Sequence, residues 1–254
     1  MLETRHAVIE RLRQKAREIA ARHPQADFYR DFPQQVTRSG HYFQTDPVVC
    51  RLHAFVAGAI ENDFGHGLAH AQKVALDAGA LVAIEGERAD FAPALIVKQM
   101  RLAHCAGLLH DIERKQKNHA RHGAIYARRL LVDYPFTSGE ISDIATAIAN
   151  HEAFGSPLEL STRAGQILSD SLYDSDKFRF GPDNFTHTVW DMIELSGVSM
   201  ERFLTLYPRG IEFLKKIRHT FRTRTGQKYG PQFIDIGIAI GEELYLFMTQ
   251  ELAL

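Results

Sequence analysis

Apolar residues recur at every third or fourth position along most of this chain, and this spacing limits the folds that it can adopt. Residues three and four apart lie on one face of an α-helix. No sustained run alternates apolar and polar residues, as a half-buried β-strand would. The sequence therefore predicts an all-α protein. One stripe of this kind comprises Ile96, Met100, Ala103, Gly107 and His110. Gly107 in this stripe would let a neighbouring backbone come close.

The chain length and composition predict one domain in three parts. A chain of 254 residues suffices for one large domain or two small ones, and no segment has the composition of a linker. Residues 1–46 are expected to form a helix and an aromatic-rich loop packed on the core. Residues 47–185 would form that core, and residues 186–254 would extend the same domain with additional C-terminal helices.

Charge and cysteine content are typical of a cytoplasmic protein. The formal net charge of −1 creates no overall field that attracts nucleic acid or a membrane surface. Cys50 and Cys105 lie far apart and outside any C-x-x-C pattern, as expected in a reducing compartment. We find no signal-peptide pattern and no run approaching the roughly 18 apolar residues of a membrane span.

Several predicted helices carry a histidine on the apolar face. His70 lies one turn before Val74, His110 continues an apolar stripe, and His151 follows Ile148. A lone histidine in such a place is commonly a core residue held by hydrogen bonds. Several buried imidazoles and carboxylates together require a cation or mutual pairing. Because these ligand types suit first-row divalent metals, the repetition predicts a metal site.

Three segments carry histidines and aspartates in a characteristic order. A histidine on one helix is followed 40 residues later by a His-Asp pair at a helix end, and then by a later aspartate. The segments are His70-Ala71-Gln72-Lys73-Val74, Leu108-Leu109-His110-Asp111-Ile112 and Asp174-Ser175-Asp176-Lys177-Phe178. Together they resemble the HD domain, a helical metal-dependent phosphohydrolase family. The resemblance covers about residues 66–180 and implies an HD-domain-like helical bundle.

In that family, the first histidine, the His-Asp pair and the last aspartate bind a divalent metal. The ion would be Mn, Fe, Co, Ni, Zn or Mg. Asp174 is the alternative late aspartate, or a group that orients a ligand, and His66 would lie near the pocket mouth. Carried onto this chain, the ligands are His70, His110, Asp111 and Asp176, with His110 and Asp111 as the catalytic pair.

The resemblance allows one metal ion or two per chain. Some HD proteins hold a second metal with further histidines from the intervening helices. His122 and His151 lie where those histidines would come. Alternatively, both would contact a substrate phosphate or the ligand carboxylates.

A basic run follows the His-Asp pair and supplies the candidate phosphate ligands. Cations there would bind phosphoryl oxygens while a metal-bound water attacks phosphorus. A solvated basic face is the alternative interpretation of the same run. The candidates are Arg114, Lys115, Lys117 and Arg121.

These features predict a hydrolase that cleaves a phosphate ester of a small molecule, with a nucleotide as one option. A di-iron oxidase on the same fold and a non-catalytic nucleotide-sensing module are the alternatives. The expected partner is a small phosphorylated substrate, with no membrane, and a homo-oligomer is compatible with the sequence. Nucleic acid is not expected, because the basic stretch from Arg209 to Lys228 is better explained as an exposed helix face.

Overall fold

The computed structural model describes residues 5–59 and 67–251, which form α-helices and no β-strand. The all-α prediction is therefore confirmed. Among the described helices, none has both the length and the apolar character needed to cross a membrane. A 3₁₀ turn (Leu131–Asp133) and a π-helical turn (Asn184–Thr188) join some of them. The helices are α1 (Arg5–Ala20), α2 (Asp27–Asp31), α3 (Pro33–Thr45), α4 (Pro47–Ala59), α5 (Leu68–Arg88), α6 (Pro93–Leu109), α7 (His119–Leu130), α8 (Ser138–Ala149), α9 (Arg163–Phe178), α10 (Val189–Ser196), α11 (Met200–Ile217) and α12 (Arg224–Glu251).

Helices α5 and α9 lie between two buried apolar clusters and contribute to both. Val74 of α5 and Leu172 of α9 belong to the cluster that α4, α6, α7 and α8 complete. Leu81 of α5 and Phe178 of α9 belong to the cluster that α1, α2, α10, α11 and α12 complete. A helix buried on more than one side needs apolar or small residues around most of its circumference. That need explains why apolar and small residues occupy most of the length of α5.

The segment before residue 47 differs from the sequence prediction. The aromatic-rich loop expected there is wrong, because α2 and α3 occupy most of it. Pro33 stands at the first position of α3, where a missing N–H costs nothing. The aromatic residues pack inward as expected, with the Phe28 ring 5.4 Å from that of Phe178 and the Phe32 ring 5.5 Å from that of Tyr229.

Two of the C-terminal helices contain a proline. Pro208 lies inside α11, and Pro231 lies inside α12. Because α12 begins at Arg224, residues 226–231 are helical. Gly226 is required there for close packing, since a side chain at this position would collide with the Asp174 carboxylate.

Helices α5 and α6 approach each other closely at Gly107. A Cβ atom at this position would lie 2.5 Å from Cα and 2.7 Å from N of Ala75. This confirms the close backbone approach expected of a glycine in that stripe. Because His110 follows one turn later, the contact also sets how near α6 brings its imidazole to His70 of α5.

Substitution of Gly107 by alanine tests this contact. The methyl group would meet backbone atoms, so we expect a loss of about 1–3 kcal/mol in the free energy of unfolding. Gly210→Ala in α11 is the matched control, since nothing lies within 4 Å of its Cβ position and the helix propensity gain is up to about 1 kcal/mol. Urea denaturation of both variants measures the difference, and equal stability would contradict the packing argument.

Candidate metal centre

Two histidines at helix C-termini are oriented by the same type of hydrogen bond. The carbonyls of the last helical turn lack intrahelical partners. His110 Nδ1 lies 2.8 Å from the carbonyl oxygen of Gly107, and His151 Nδ1 lies 2.7 Å from that of Ile148. Each ring donates its Nδ1–H to the carbonyl three residues earlier. Each Nε2 therefore carries a lone pair and is directed away from its own helix.

The first cluster brings His70, His110 and Asp176 together from α5, α6 and α9. Nε2 of His70 is 3.3 Å from Asp176 Oδ1 and 3.3 Å from Nε2 of His110. His110 Nε2 is 3.7 Å from the same carboxylate oxygen. Burial lowers the pKa of His110 to about 3, against the attraction of Asp111 and Asp176. This imidazole is therefore neutral and presents an acceptor to the carboxylate.

The second cluster contains Asp111, His119 and His151. Oδ1 of Asp111 is 3.3 Å from His119 Nε2 and 3.4 Å from His151 Nε2. The two imidazole nitrogens are 3.1 Å apart. His119 is the first residue of α7, whereas His151 follows the end of α8. A loop residue and a helix N-terminus thus complete this cluster.

Asp111 joins the two clusters through its two carboxylate oxygens. Oδ1 faces the second cluster, while Oδ2 is 3.5 Å from His110 Nε2 and 3.9 Å from His70 Nε2. The carboxylate is 3% exposed, and His110 is fully buried. A single buried carboxylate therefore lies between two groups of imidazoles.

This donor set fits divalent metal ions. A neutral imidazole that donates its N–H to a carbonyl presents only a lone pair to the carboxylate that it faces. The lone pair and the carboxylate are both acceptors, so they repel each other unless a cation lies between them. Such N–H donation to a backbone carbonyl is also typical of metal-bound histidine. The ligand atoms of the first cluster all lie within 4.8 Å of one another, as do those of His110, Asp111 and His151.

Lys177 forms hydrogen bonds with one residue of each cluster. Its ammonium donates to Oδ2 of Asp176 at 2.6 Å and to the carbonyl oxygen of His151 at 3.0 Å. Burial would raise the pKa of Asp176, but the Lys177 charge and the hydrogen bond with His70 hold it well below the usual range. Asp176 therefore stays ionised, with Oδ1 directed at the two histidines.

Asp174, the alternative late aspartate, faces away from both clusters. It accepts hydrogen bonds from the backbone N–H groups of Arg222 and Thr223, each at 2.8 Å. Burial raises its pKa to about 7 in spite of these bonds. Residues two apart on a helix point in nearly opposite directions, so Asp174 faces away when Asp176 faces the cluster. Its two hydrogen bonds anchor the segment before α12. His66, predicted at the pocket mouth, lies outside the described residues.

His119 takes the place that the sequence analysis assigned to His122. The buried side of α7 consists of His119, Ala120, Gly123, Ala124 and Ala127. His122 lies on the opposite side and is exposed, so the assignment of His122 is corrected. The helix begins after Asn118, whose left-handed backbone (φ 59°) turns the chain. This start decides which histidine faces Asp111.

Arg114, one of the four predicted phosphate-binding cations, contacts the centre. Its Nη1 is 2.9 Å from His119 Nε2, at the exposed edge of the second cluster. Lys115, Lys117 and Arg121 are exposed. Lys73, on the turn after His70, lines a cavity of about 340 Å³ that His70 also lines.

The fold and the site define a helical protein with a buried histidine–carboxylate centre suited to metal ions. A scan against protein-family models found no match, and neither did a comparison with curated proteins. Among solved structures, this chain is similar to the crystal structure of a predicted HD superfamily hydrolase from an uncultured Thermotogales bacterium. The match has 20% identity and a TM-score of 0.43, and it covers 82% of this chain and 90% of that chain.

Replacing each of the two α7 histidines distinguishes the inward from the outward position. We expect His119→Ala to lose about one equivalent of metal relative to the unmodified protein, because an imidazole of the second cluster is removed. His122→Ala should keep the full content, since its ring is exposed. Elemental analysis after loading with Mn²⁺ measures both, and equal loss in the two variants would reject the corrected assignment.

Proposed function

We propose that this protein is a metal-dependent phosphohydrolase that cleaves a phosphate ester of a small molecule. The observation that supports the proposal is the pair of clusters that share Asp111. Five separate segments, from α5 to α9, contribute the imidazoles and carboxylates of this centre. Bringing so many ionisable groups into a dry interior destabilises a fold unless they serve a bound cation or a reaction.

Metal ions held by these residues would supply a water of lowered pKa and would offset negative charge on a phosphoryl group. His70, His110, Asp111 and Asp176 would hold one ion, and Asp111, His119 and His151 would hold a second. Asp111 would contribute to both sites, because its two carboxylate oxygens face different clusters.

The surrounding residues would bind and orient the substrate. Arg114, at the exposed edge of the second cluster, would bind a phosphoryl oxygen. Glu152 Oε1 is 3.0 Å from His119 Nδ1, so it orients that ring from the side opposite Asp111. The cavity beside His70 would admit the rest of the substrate.

A di-iron oxidase is the second candidate, because two clusters that share a carboxylate would equally suit two irons. The two candidates differ in the metal and in the co-reactant. A hydrolase needs water and works with a redox-silent ion, whereas an oxidase requires iron and consumes dioxygen. Oxygen uptake by the iron-loaded protein therefore separates them.

The phosphohydrolase proposal predicts turnover of a phosphate ester by protein loaded with Mn²⁺, Co²⁺ or Ni²⁺. His110→Ala and Asp111→Ala should each lower kcat at least about a hundredfold, since the metal supplies several kcal/mol of transition-state stabilisation. The measurement is phosphate release from a panel of esters. His122→Ala, an exposed histidine on α7, is the matched control and should retain full activity.

Circular dichroism would show whether the two inactive variants keep their helices. Full activity in folded His110→Ala and Asp111→Ala would reject the site. Dioxygen consumption without any phosphate release would instead favour the oxidase.

A further inference from the structure

We propose that the cavity beside His70 binds a neutral, hydroxyl-bearing alcohol group of the substrate. The substrate class would then be a monophosphate ester of a sugar or nucleoside, not a diphosphate and not the phosphate of an apolar alcohol. This inference rests on the proposed function, since the phosphoryl group would lie at the adjoining metal centre.

The cavity lies directly against the first cluster. Its volume is about 340 Å³, and His70 forms part of its wall. Helix α5 borders one side through Lys73, and the π-helical turn with α10 borders the other through His187 and Asp191. A group attached to a phosphoryl at the cluster would therefore enter this space. The volume is near the lower end for small-molecule pockets, which suits a sugar or nucleoside.

The charges on the described wall of the cavity are balanced. Lys73 Nζ is 2.7 Å from Asp183 Oδ1, and Arg179 Nη1 is 2.7 Å from Asp183 Oδ2. Arg179 also pairs with the buried Asp77. Asp191 pairs with Arg13 of α1. The two cations of the described wall, Lys73 and Arg179, are thus paired with two carboxylates, those of Asp77 and Asp183. This part of the wall has no excess positive charge to bind a second phosphoryl group.

Among the described residues, Lys73 and Arg179 are the lysine and arginine that line this wall. Residues 1–4, 60–66 and 252–254 contain neither residue type. Arg17 of α1 is close enough to help lower the pKa of His187, behind the larger effects of burial and Lys73. It is not among the residues that line the cavity. A site that selects polyphosphates would instead carry cations in excess.

The described residues of the wall offer hydrogen-bonding groups of both kinds and include no large apolar side chain. Carboxylate oxygens of Asp183 and Asp191 accept, Lys73 donates, and the Thr188 hydroxyl and His187 ring do either. Hydroxyl groups, which donate and accept, satisfy such a mixture. An alkyl chain would desolvate these groups without replacing their hydrogen bonds, and this is unfavourable.

Apolar groups have a different cavity, on the other face of α10. It measures about 250 Å³ and is lined by aromatic and aliphatic side chains that include Phe185, Met192 and Phe213. No residue of either metal cluster lines it. The two cavities therefore separate polar from apolar contacts, and only the polar one adjoins the centre in the described part of the chain.

Binding of three probes to the Mn²⁺-loaded full chain tests the inference. The probes are phosphonate analogues, which cannot be hydrolysed: those of ribose 5-phosphate and n-pentyl phosphate, and methylene-bridged adenosine diphosphate. Calorimetry should show the ribose analogue binding at least about tenfold more tightly than either other probe. The pentyl analogue matches the chain length of ribose but lacks its hydroxyl groups.

Two pairs of variants assign the preference to the cavity. Asp183→Asn removes one carboxylate and should lower the ratio of the affinity for the ribose analogue to that for the diphosphate probe about tenfold. Asp235→Asn, which breaks a surface pair with Arg218, should leave that ratio unchanged. Thr188→Val should lower the ribose-to-pentyl ratio several-fold, as loss of one hydrogen bond predicts. Thr205→Val, an exposed threonine of α11, is its control.

The results separate this inference from the proposed function. Tighter binding of the diphosphate or pentyl probe, or ratios that neither Asp183→Asn nor Thr188→Val changes, would overturn the cavity assignment even if phosphate esters are hydrolysed. Conversely, the expected order of binding with no turnover of any phosphate ester would reject the hydrolase and keep the cavity assignment.

Discussion

The rest of this structure depends on the contacts of the buried Asp111 carboxylate with the histidines around it. This carboxylate lies in the interior between two groups of imidazoles, within 3.5 Å of His110 on one side and 3.3 Å of His119 on the other. Desolvating an ionised carboxylate is unfavourable unless positive charge or donors surround it. The helices that contribute to the centre must therefore end or begin at fixed places around one side chain.

Helix termini do most of this positioning. The rings of His110 and His151 each donate to a carbonyl in the last turn of the preceding helix, and this bond directs each Nε2 toward a carboxylate. Gly107 lets α6 approach α5 until backbone atoms nearly touch. Lys177 then connects the α9 carboxylate to the segment after α8. Helix packing and the geometry of the histidine–carboxylate centre thus depend on the same residues, so a change in either affects both.

A hydrogen-bond network links the N-terminal helix α2 to residues that line the polar cavity. Arg179 at the end of α9 bonds Asp183 and the Tyr29 hydroxyl, and both Arg179 and Tyr29 bond Asp77 of α5. Burial and the Asp77 charge raise the pKa of Tyr29, so its hydroxyl remains a donor. This network connects α2 and α5 to the residues that precede α10. It thereby sets the charge balance from which we infer the substrate class.

The sequence by itself determined the helical class and the histidines and aspartates that stand on buried faces, because helical spacing and local composition carry both. It also indicated the close approach at Gly107. Only the tertiary structure decided that His119 and not His122 faces Asp111, since that depends on where α7 begins after Asn118. It likewise decided that Asp174 anchors α12 and that Pro208 and Pro231 lie within helices. Local patterns give the spacing of side chains along a helix, whereas the partner that each face meets depends on packing between segments distant in the chain.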